Sequence, residues 1–453
     1  MFSHTSPSLE PSPRIDGIRT LLLAAGMSKR FWPLKEKSLF PLLGRPLLVH
    51  QMERLSAGGC KDVSFVVRDH NETDIAGISP KTPRVRQTLD LGMQGALLAA
   101  LPACGDSPVM IVGGNDVIDP AAYGALRKAA AKKGVDGAIL AFKVNHYFPG
   151  GYLTMDGGRV TGIQEKPGAG KEPSRFVNIV AHVHNDPRAL MKMLEKVHST
   201  RDDGYEVALS KLLAEKHYEA VEYSGVWQPV KFSWHLLPLT SVLLSEIKKE
   251  SIHKSASVHR SAVIEGPVVL EEGVRELPHA TIIGPAHIGR GTIIGNNALV
   301  RGASIGSHCV IGYNTEVKSS LLSHHVWTHS SYVGDSVVGA NVSFGAGTVT
   351  GNLRLDEGEI HSAVGDDKVG TGLTKFGTII GDDVRIGIHT AILPGVKIGS
   401  QTFISSSTLV GKDVPEKSFV SMEGANMLVR PNKTAPPKPE TRDAYRKAAK
   451  LHA

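Results

Sequence analysis

Cysteine is scarce: three in 453 residues, at Cys60, Cys104 and Cys309. Thiols so widely spaced form no disulfide framework or metal motif, and they suit a reducing cytoplasm. Long apolar runs are missing as well. Leu21-Leu22-Leu23-Ala24-Ala25 falls far short of the roughly 20 residues that cross a bilayer, so no membrane partner is expected. The first fifteen or so residues are rich in Ser and Pro and lack the apolar centre of a secretory signal, so 1–16 is expected to be a disordered leader. Blocks of one charge are absent, apart from a Lys/Pro-rich tail over 429–453, expected to be flexible. The formal charge of +7 is otherwise scattered. Small anionic substrates or a solvated basic surface account for it, and no nucleic-acid partner is expected. A hydrophobic fraction of 41% and a charged fraction of 21% are those of a soluble globular protein. The length allows two or three domains.

What is present, from about Val263 to Val410, is a six-residue beat. Ile288-Gly289, Ile294-Gly295, Ile305-Gly306, Ile311-Gly312, Val338-Gly339, Phe344-Gly345, Ile380-Gly381, Ile386-Gly387 and Ile398-Gly399 all fall on it. An aliphatic residue pointing inward once per short strand predicts triangular coils that stack and share a core. The Gly or Asn near each corner is expected to take backbone angles that a Cβ opposes. A charged, Gly-containing stretch between Asn352 and Thr378 breaks the pattern. Solenoids place such insertions on one face, often at a binding site.

Residues 18–245 read differently. Strands are expected at Ile18–Leu23, Asp62–Arg68 and Val109–Gly113, with helices at Pro46–Leu55 and Leu236–Lys249. Strand, turn, helix and strand make the βαβ grammar of a mostly parallel α/β sheet. The turn Gly26-Met27-Ser28-Lys29-Arg30 ends the first strand. Small residues there let backbone N–H groups approach phosphate oxygens, and the basic residues that follow neutralise them.

Together with Lys37, Gln87, Gly92, Asp116, Gly151, Glu165-Lys166 and Asn178, this turn resembles the sugar-phosphate nucleotidyltransferase family over roughly 17–240. The resemblance implies a Rossmann-like sheet and transfer of a uridylyl or thymidylyl group from UTP or dTTP to a sugar 1-phosphate. It implies Gly26 and Arg30 on the triphosphate, and Lys37 bridging both substrates. Gln87 and Gly92 would read the base, and Asp116 would hold Mg²⁺. Gly151, Glu165 and Asn178 would grip the sugar, and Lys166 its phosphate. Two positions depart from the family pattern. Ser28 stands where a second Gly is usual, and Pro229 stands where an Asp often binds the metal. Asp202, Asp203 and Glu206 are the carboxylates that could replace it.

The coil region carries Arg301, Lys318, His329, Tyr332, Ala346, Asn352 and Lys375. It resembles the acetyltransferase half of the bifunctional enzymes that make UDP-N-acetylglucosamine, the archaeal type above all. That resemblance implies a left-handed parallel β-helix over 251–428, following a nucleotidyltransferase domain over 17–250, and a cytoplasmic homotrimer. It implies His329 as general base, with Arg301, Lys318 and Lys375 on the sugar phosphate. Tyr332 and Asn352 would orient the sugar and its amine, and Ala346 would lie beside acetyl-CoA. A neutral imidazole, of ordinary pKa near 6.5, suits removal of a proton from a sugar amine attacking a thioester. Two alternatives stand beside this reading. In one, the chain is a nucleotidyltransferase whose coils serve assembly. In the other, it is a non-catalytic scaffold that binds sugar nucleotides.

Overall fold

A computed structural model describes residues 17–199, 202–424, 426–435 and 438. They fall into two compact units. One holds the chain up to Met27 together with Leu48–Trp227; the other holds Ser28–Leu47 and everything from Gln228 onward. This division differs from the boundary expected after residue 250. An early loop, 28–47, and the segment 228–250 are built into the same unit as the coils. The leader 1–16 lies outside the described residues.

The first unit is built on a nine-stranded sheet. Its strands are β1 (Arg19–Leu23), β2 (Asp62–Val67), β3 (Arg84–Arg86), β4 (Val109–Gly113), β5 (Gly137–Lys143), β6 (Gly151–Asp156), β7 (Arg159–Glu165), β8 (Phe176–His184) and β9 (Tyr218–Tyr223). Their order is β3-β2-β1-β4-β8-β5-β9-β7-β6. The strands β1 to β4 run parallel, joined by crossovers through α1 (Leu47–Ala57), α2 (Asp69–Ile78) and α3 (Gly92–Ala100). A parallel strand covered on both faces must be apolar throughout, and every residue of β4 is buried. Beyond β4 the sheet turns mixed, because β8 runs antiparallel to both β4 and β5. The Asn71 amide holds the turn after β1: it donates to the Ala24 carbonyl at 2.8 Å and accepts from the Arg68 N–H at 3.1 Å.

The second unit is a prism of three parallel sheets, as a left-handed parallel β-helix requires. Inward residues form ladders through the stack. Ile288, Ile305, Leu322, Val338, Ile380 and Ile398 line the first sheet, and Ile282, Val300, Val317 and Val333 the third. All are buried. Coil length is not uniform. Val268 pairs with Ala286, eighteen positions on, whereas Ser304 pairs with Leu321 and Leu321 with Val337. Corners therefore absorb one or two deletions without breaking the ladders. The insertion falls between the third and first sheets, carries the hairpin His361–Val364/Asp367–Gly370, and returns to register at Val337↔Ile379.

The corner expectation holds for Asn297, Asn314 and Asn341, with φ between 54° and 57°, and for Gly291 and Gly302, at 61° and 55°. His308, His325 and Asp383, with φ between 59° and 61°, take the same angles without having been expected to. Short polar side chains tolerate that region by bonding locally. The glycines of the Ile-Gly beat are not among the left-handed residues. The beat glycines are needed because the coils approach closely: a Cβ on Gly289 or Gly345 would lie 2.6 Å from backbone of the next coil. The helix expected over Leu236–Lys249 is shorter, spanning Leu236–Ser245. At the far end, Ser418–Glu423 and Asn426–Pro431 pair antiparallel, so regular structure continues past the expected boundary at 428. Of the expected tail, residues 436–437 and 439–453 lie outside the described residues.

Candidate active sites

In the first unit the expected sugar residues converge. Gly151 and Glu165 face each other across the β6–β7 ladder. A Cβ added at Gly151 would sit 3.0 Å from Glu165 Oε2 and 3.8 Å from Asn178 Cβ. The bare backbone of Gly151 thus leaves a concavity walled by those two side chains. Lys166 stands at the rim, its Nζ 3.6 Å from Glu165 Oε1 and its φ at 43°. Burial, and then the charges of Glu165, Asp202 and Asp203, raise the Glu206 carboxyl to about 7. That grouping puts Glu206 with the sugar residues. Among the described residues, no three His, Cys, Asp or Glu side chains gather to hold a metal.

Gln87 and Gly92 also meet, but the Gln87 amide is committed to the loop. Its Nε2 donates to the Leu89 carbonyl at 2.7 Å and the Gly92 carbonyl at 2.9 Å. Both donor hydrogens are spent there, so Oε1 is the hydrogen-bonding group that the side chain has left. Gly92 has φ 53°, and a Cβ there would collide with Asp202. Asp116 opens a short strand after β4. One of its oxygens accepts the Trp227 Nε1–H at 2.8 Å. A single carboxylate completed by phosphates and water is a donor set that Mg²⁺ accepts.

Gly26 lies exposed in the turn after β1. Arg30 and Lys37 belong to the second unit. Ser28, in place of the usual glycine, adopts φ 48° and ψ 23°. Its hydroxyl compensates: it donates to Glu36 Oε1 at 3.2 Å and accepts from the Lys37 N–H at 3.4 Å. Glu36 also accepts from the Ser38 N–H and hydroxyl, each at 3.0 Å. Sequence reading missed Glu36 as the organiser of this loop. Arg30 lies over the Phe232 ring at 5.5 Å; Phe232 stacks on Trp234 at 4.4 Å, and Trp234 meets Phe376 of the insertion at 6.4 Å. Pro229 offers no side-chain ligand, and its carbonyl is engaged by His235 and Gln228.

In the coils, Arg301, Lys318 and Gly334 stack at one position of the third sheet in successive coils. Gly334 leaves room there for the Tyr332 hydroxyl. The Asn352 amide donates to that hydroxyl at 3.1 Å and to Asp335 Oδ2 at 2.5 Å. Lys318 pairs with the same Asp335 oxygen at 2.7 Å, and Arg301 with Glu316 at 2.6 Å. Lys375, exposed, bridges Leu353 across the base of the insertion, and the Phe376 N–H donates to the Asn352 carbonyl at 3.0 Å. One corner thus gathers Arg301, Lys318, Tyr332, Asn352 and Lys375. Sequence reading missed the carboxylates Glu316 and Asp335 that hold the cations. Their only signal was the recurrence of an acidic residue beside a basic one one coil away.

His329 and Ala346 occupy the opposite corner, where the second sheet passes into the third, and both are exposed. The three-residue strand Tyr332–Gly334, about 10 Å long, separates the two corners. Within one chain the structure does not bring the His329 ring against the Arg301–Lys375 group.

A nucleotidyl transferase family model matches residues 19–230, and a bacterial transferase hexapeptide model of six repeats matches 377–412. The chain is 28% identical over 427 residues to the bifunctional protein GlmU of Methanococcus vannielii, covering 88% of this chain and 96% of that one. It is 27% identical over 420 residues to the protein of the same name from Methanocaldococcus jannaschii, with the same coverage. To the bifunctional sugar-1-phosphate nucleotidylyltransferase/acetyltransferase of Sulfurisphaera tokodaii it is 30% identical over 416 residues, covering 89% and 99%. A sheet unit followed by a hexapeptide prism, with matches running through both, makes the chain a member of the bifunctional sugar-1-phosphate nucleotidylyltransferase/acetyltransferase family.

Proposed function

We propose that the chain acetylates glucosamine 1-phosphate, or a related amino-sugar 1-phosphate, with acetyl-CoA in its coils. Its sheet unit transfers a uridylyl or thymidylyl group from UTP or dTTP to a sugar 1-phosphate. The observation that carries the acetyl reading is the corner holding Arg301, Lys318, Tyr332, Asn352 and Lys375. Two stacked cations, each already oriented by a carboxylate, suit a phosphate monoester, and the Tyr332–Asn352 pair suits hydroxyls beside an amine. His329 takes the proton as the amine nitrogen bonds to the thioester carbonyl carbon, and the carbon–sulfur bond breaks to release CoA thiol. Ala346 borders the acetyl-CoA path.

In the sheet unit, a sugar-phosphate oxygen attacks the α-phosphorus and pyrophosphate leaves. Gly26, Arg30 and Lys37 carry the phosphates, with Lys166 on the sugar phosphate. Gln87 and Gly92 meet the base, and Gly151, Glu165 and Asn178 the sugar. Asp116 would hold Mg²⁺, which when bound offsets charge on the phosphoryl oxygens. We also propose a cytoplasmic homotrimer assembled through the prism. Val349 and Leu409 are 45% and 50% exposed on the outer third sheet, and exposed Ala391 lies between them in the ladder. Such an apolar stripe favours a covered face. A monomer by sedimentation at assay concentration would remove that part.

The test is a matrix of nucleoside triphosphates against sugar 1-phosphates, read by pyrophosphate release, together with thiol release from acetyl-CoA and glucosamine 1-phosphate. His329→Ala should abolish thiol release and spare pyrophosphate release; Asp116→Ala should do the reverse. Equal loss of both activities in either variant would contradict separate sites.

A further inference from the structure

Behind Asn178 the strand β8 carries two more polar residues, His182 and His184, both fully buried. His182 Nε2 lies 2.6 Å from Asn178 Oδ1, and its Nδ1 lies 2.5 Å from the Tyr205 hydroxyl. His184 Nε2 lies 3.3 Å from the same hydroxyl, and its Nδ1 lies 2.7 Å from the Tyr218 hydroxyl. Tyr205 comes from the helix Gly204–Glu215 and Tyr218 from β9; they are 1% and 2% exposed. The five side chains form one line from the core to the proposed sugar site, with the Ile179 carbonyl beside the His182 ring.

Three proton arrangements make all four contacts: two run in opposite directions, and in the third Tyr205 accepts from both rings. Burial holds both rings neutral, His182 at about 3, partly offset by the Ile179 carbonyl, and His184 well below the ordinary range. Each ring therefore donates from one nitrogen and accepts at the other. If His184 Nδ1 donated, the Tyr218 O–H would be buried with no acceptor among the described residues, and if Tyr205 accepted from both rings its own O–H would be left the same way, a loss that the one remaining arrangement avoids. Tyr218 therefore donates to His184 Nδ1, His184 Nε2–H to Tyr205, Tyr205 to His182 Nδ1, and His182 Nε2–H to Asn178 Oδ1.

We propose that this buried line is a positioning device: it fixes the Asn178 amide with Oδ1 inward and Nδ2H₂ outward beside Gly151 and Glu165, so that the site presents a donor to an acceptor oxygen of the sugar. The proposal rests on the reading of Asn178 as a sugar-binding residue. His182, His184, Tyr205 and Tyr218 act through Asn178 and touch no substrate themselves.

The direct test is a ¹⁵N-histidine correlation spectrum of the full chain, with the two signals assigned by loss in His182→Gln and His184→Gln. Both rings are expected as the Nε2–H tautomer, unchanged between pH 5 and 8. An Nδ1–H tautomer at either position overturns the proposal. In kinetics, Tyr205→Phe removes the donor to His182 and allows the amide to turn over. The KM for sugar 1-phosphate should rise about ten-fold, with the KM for nucleotide within about two-fold. If Tyr205→Phe does not fold, Tyr218→Phe removes the first donor of the line and should give the same split. A folded variant with both KM values unchanged overturns the positioning role. Wild-type protein inactive with every sugar 1-phosphate would defeat the functional reading and the purpose of the line, while the spectrum would still decide the tautomers.

Discussion

Glu276 puts a carboxylate at an inward position of the prism. It pairs with Ile294 in the second sheet, is 2% exposed, and has neither carboxylate oxygen hydrogen-bonded. Burial raises its carboxyl to about 7. A raised carboxyl binds its proton more tightly in the folded chain, so stability is greatest below the unfolded pKa and declines as pH rises towards 7. Glu276→Leu should raise the melting temperature at pH 8 by the equivalent of about 1–3 kcal/mol and flatten the pH dependence between 4.5 and 7. An unchanged pH slope in that variant would show that the decline comes from another group. The legibility of single residues follows the same logic. Arg301, Lys318, Tyr332 and Asn352 were named through a family resemblance, and the coil period explains why they share a corner. Glu276, Asp335 and the His182 line were not legible, since nothing in a linear pattern says which polar side chain turns inward or which partner meets it.

At the scale of elements, the three sheet strands read from the sequence lie within a residue of their expected bounds, because parallel strands are written in apolar spacing. The strands at Arg19–Leu23, Asp62–Val67 and Val109–Gly113 fall where the sequence puts them. The reason for the beat glycines was not readable, since it depends on the neighbouring coil. That reason has a measurable consequence. Gly345→Ala would force a Cβ to 2.6 Å from Ile388 N and 2.7 Å from the Gly387 carbonyl carbon. Backbone cannot yield as a side chain can, so a loss of about 2–3 kcal/mol is expected. Gly302 has φ 55°, and a Cβ added there would meet no atom nearer than the Ser319 hydroxyl at 3.8 Å. Gly302→Asn should cost under about 1 kcal/mol, because Asn tolerates the left-handed region. Urea melts of the two variants compare them; equal losses would mean that coil spacing is not the constraint.

For the whole molecule, the sequence shows two architectures and their order but not where one compact unit ends. The loop 28–47 is separated from the coils by about 200 residues of chain, and only the fold reveals their association. Lys35 pairs with Asp382 at 3.4 Å, Lys397 lies over the Trp32 ring at 5.0 Å, and the Ser233 hydroxyl donates to the Trp32 carbonyl at 3.4 Å. A chain ending at residue 250 keeps every proposed nucleotidyl residue yet removes Asp382, Lys397 and Phe376. It should lose at least about 90% of pyrophosphate release, the remainder showing a raised KM for nucleotide. Full activity in that fragment would show that the loop holds its shape unaided.

The seating of Arg30 and Lys37 on the coil unit therefore bears on ancestry as well as on chemistry. Gene fission between the halves would strand a phosphate-binding loop without its buttress. A descendant that shed its solenoid could keep nucleotide chemistry only by evolving a substitute support, and that substitute should be visible as new sequence packed around Trp32.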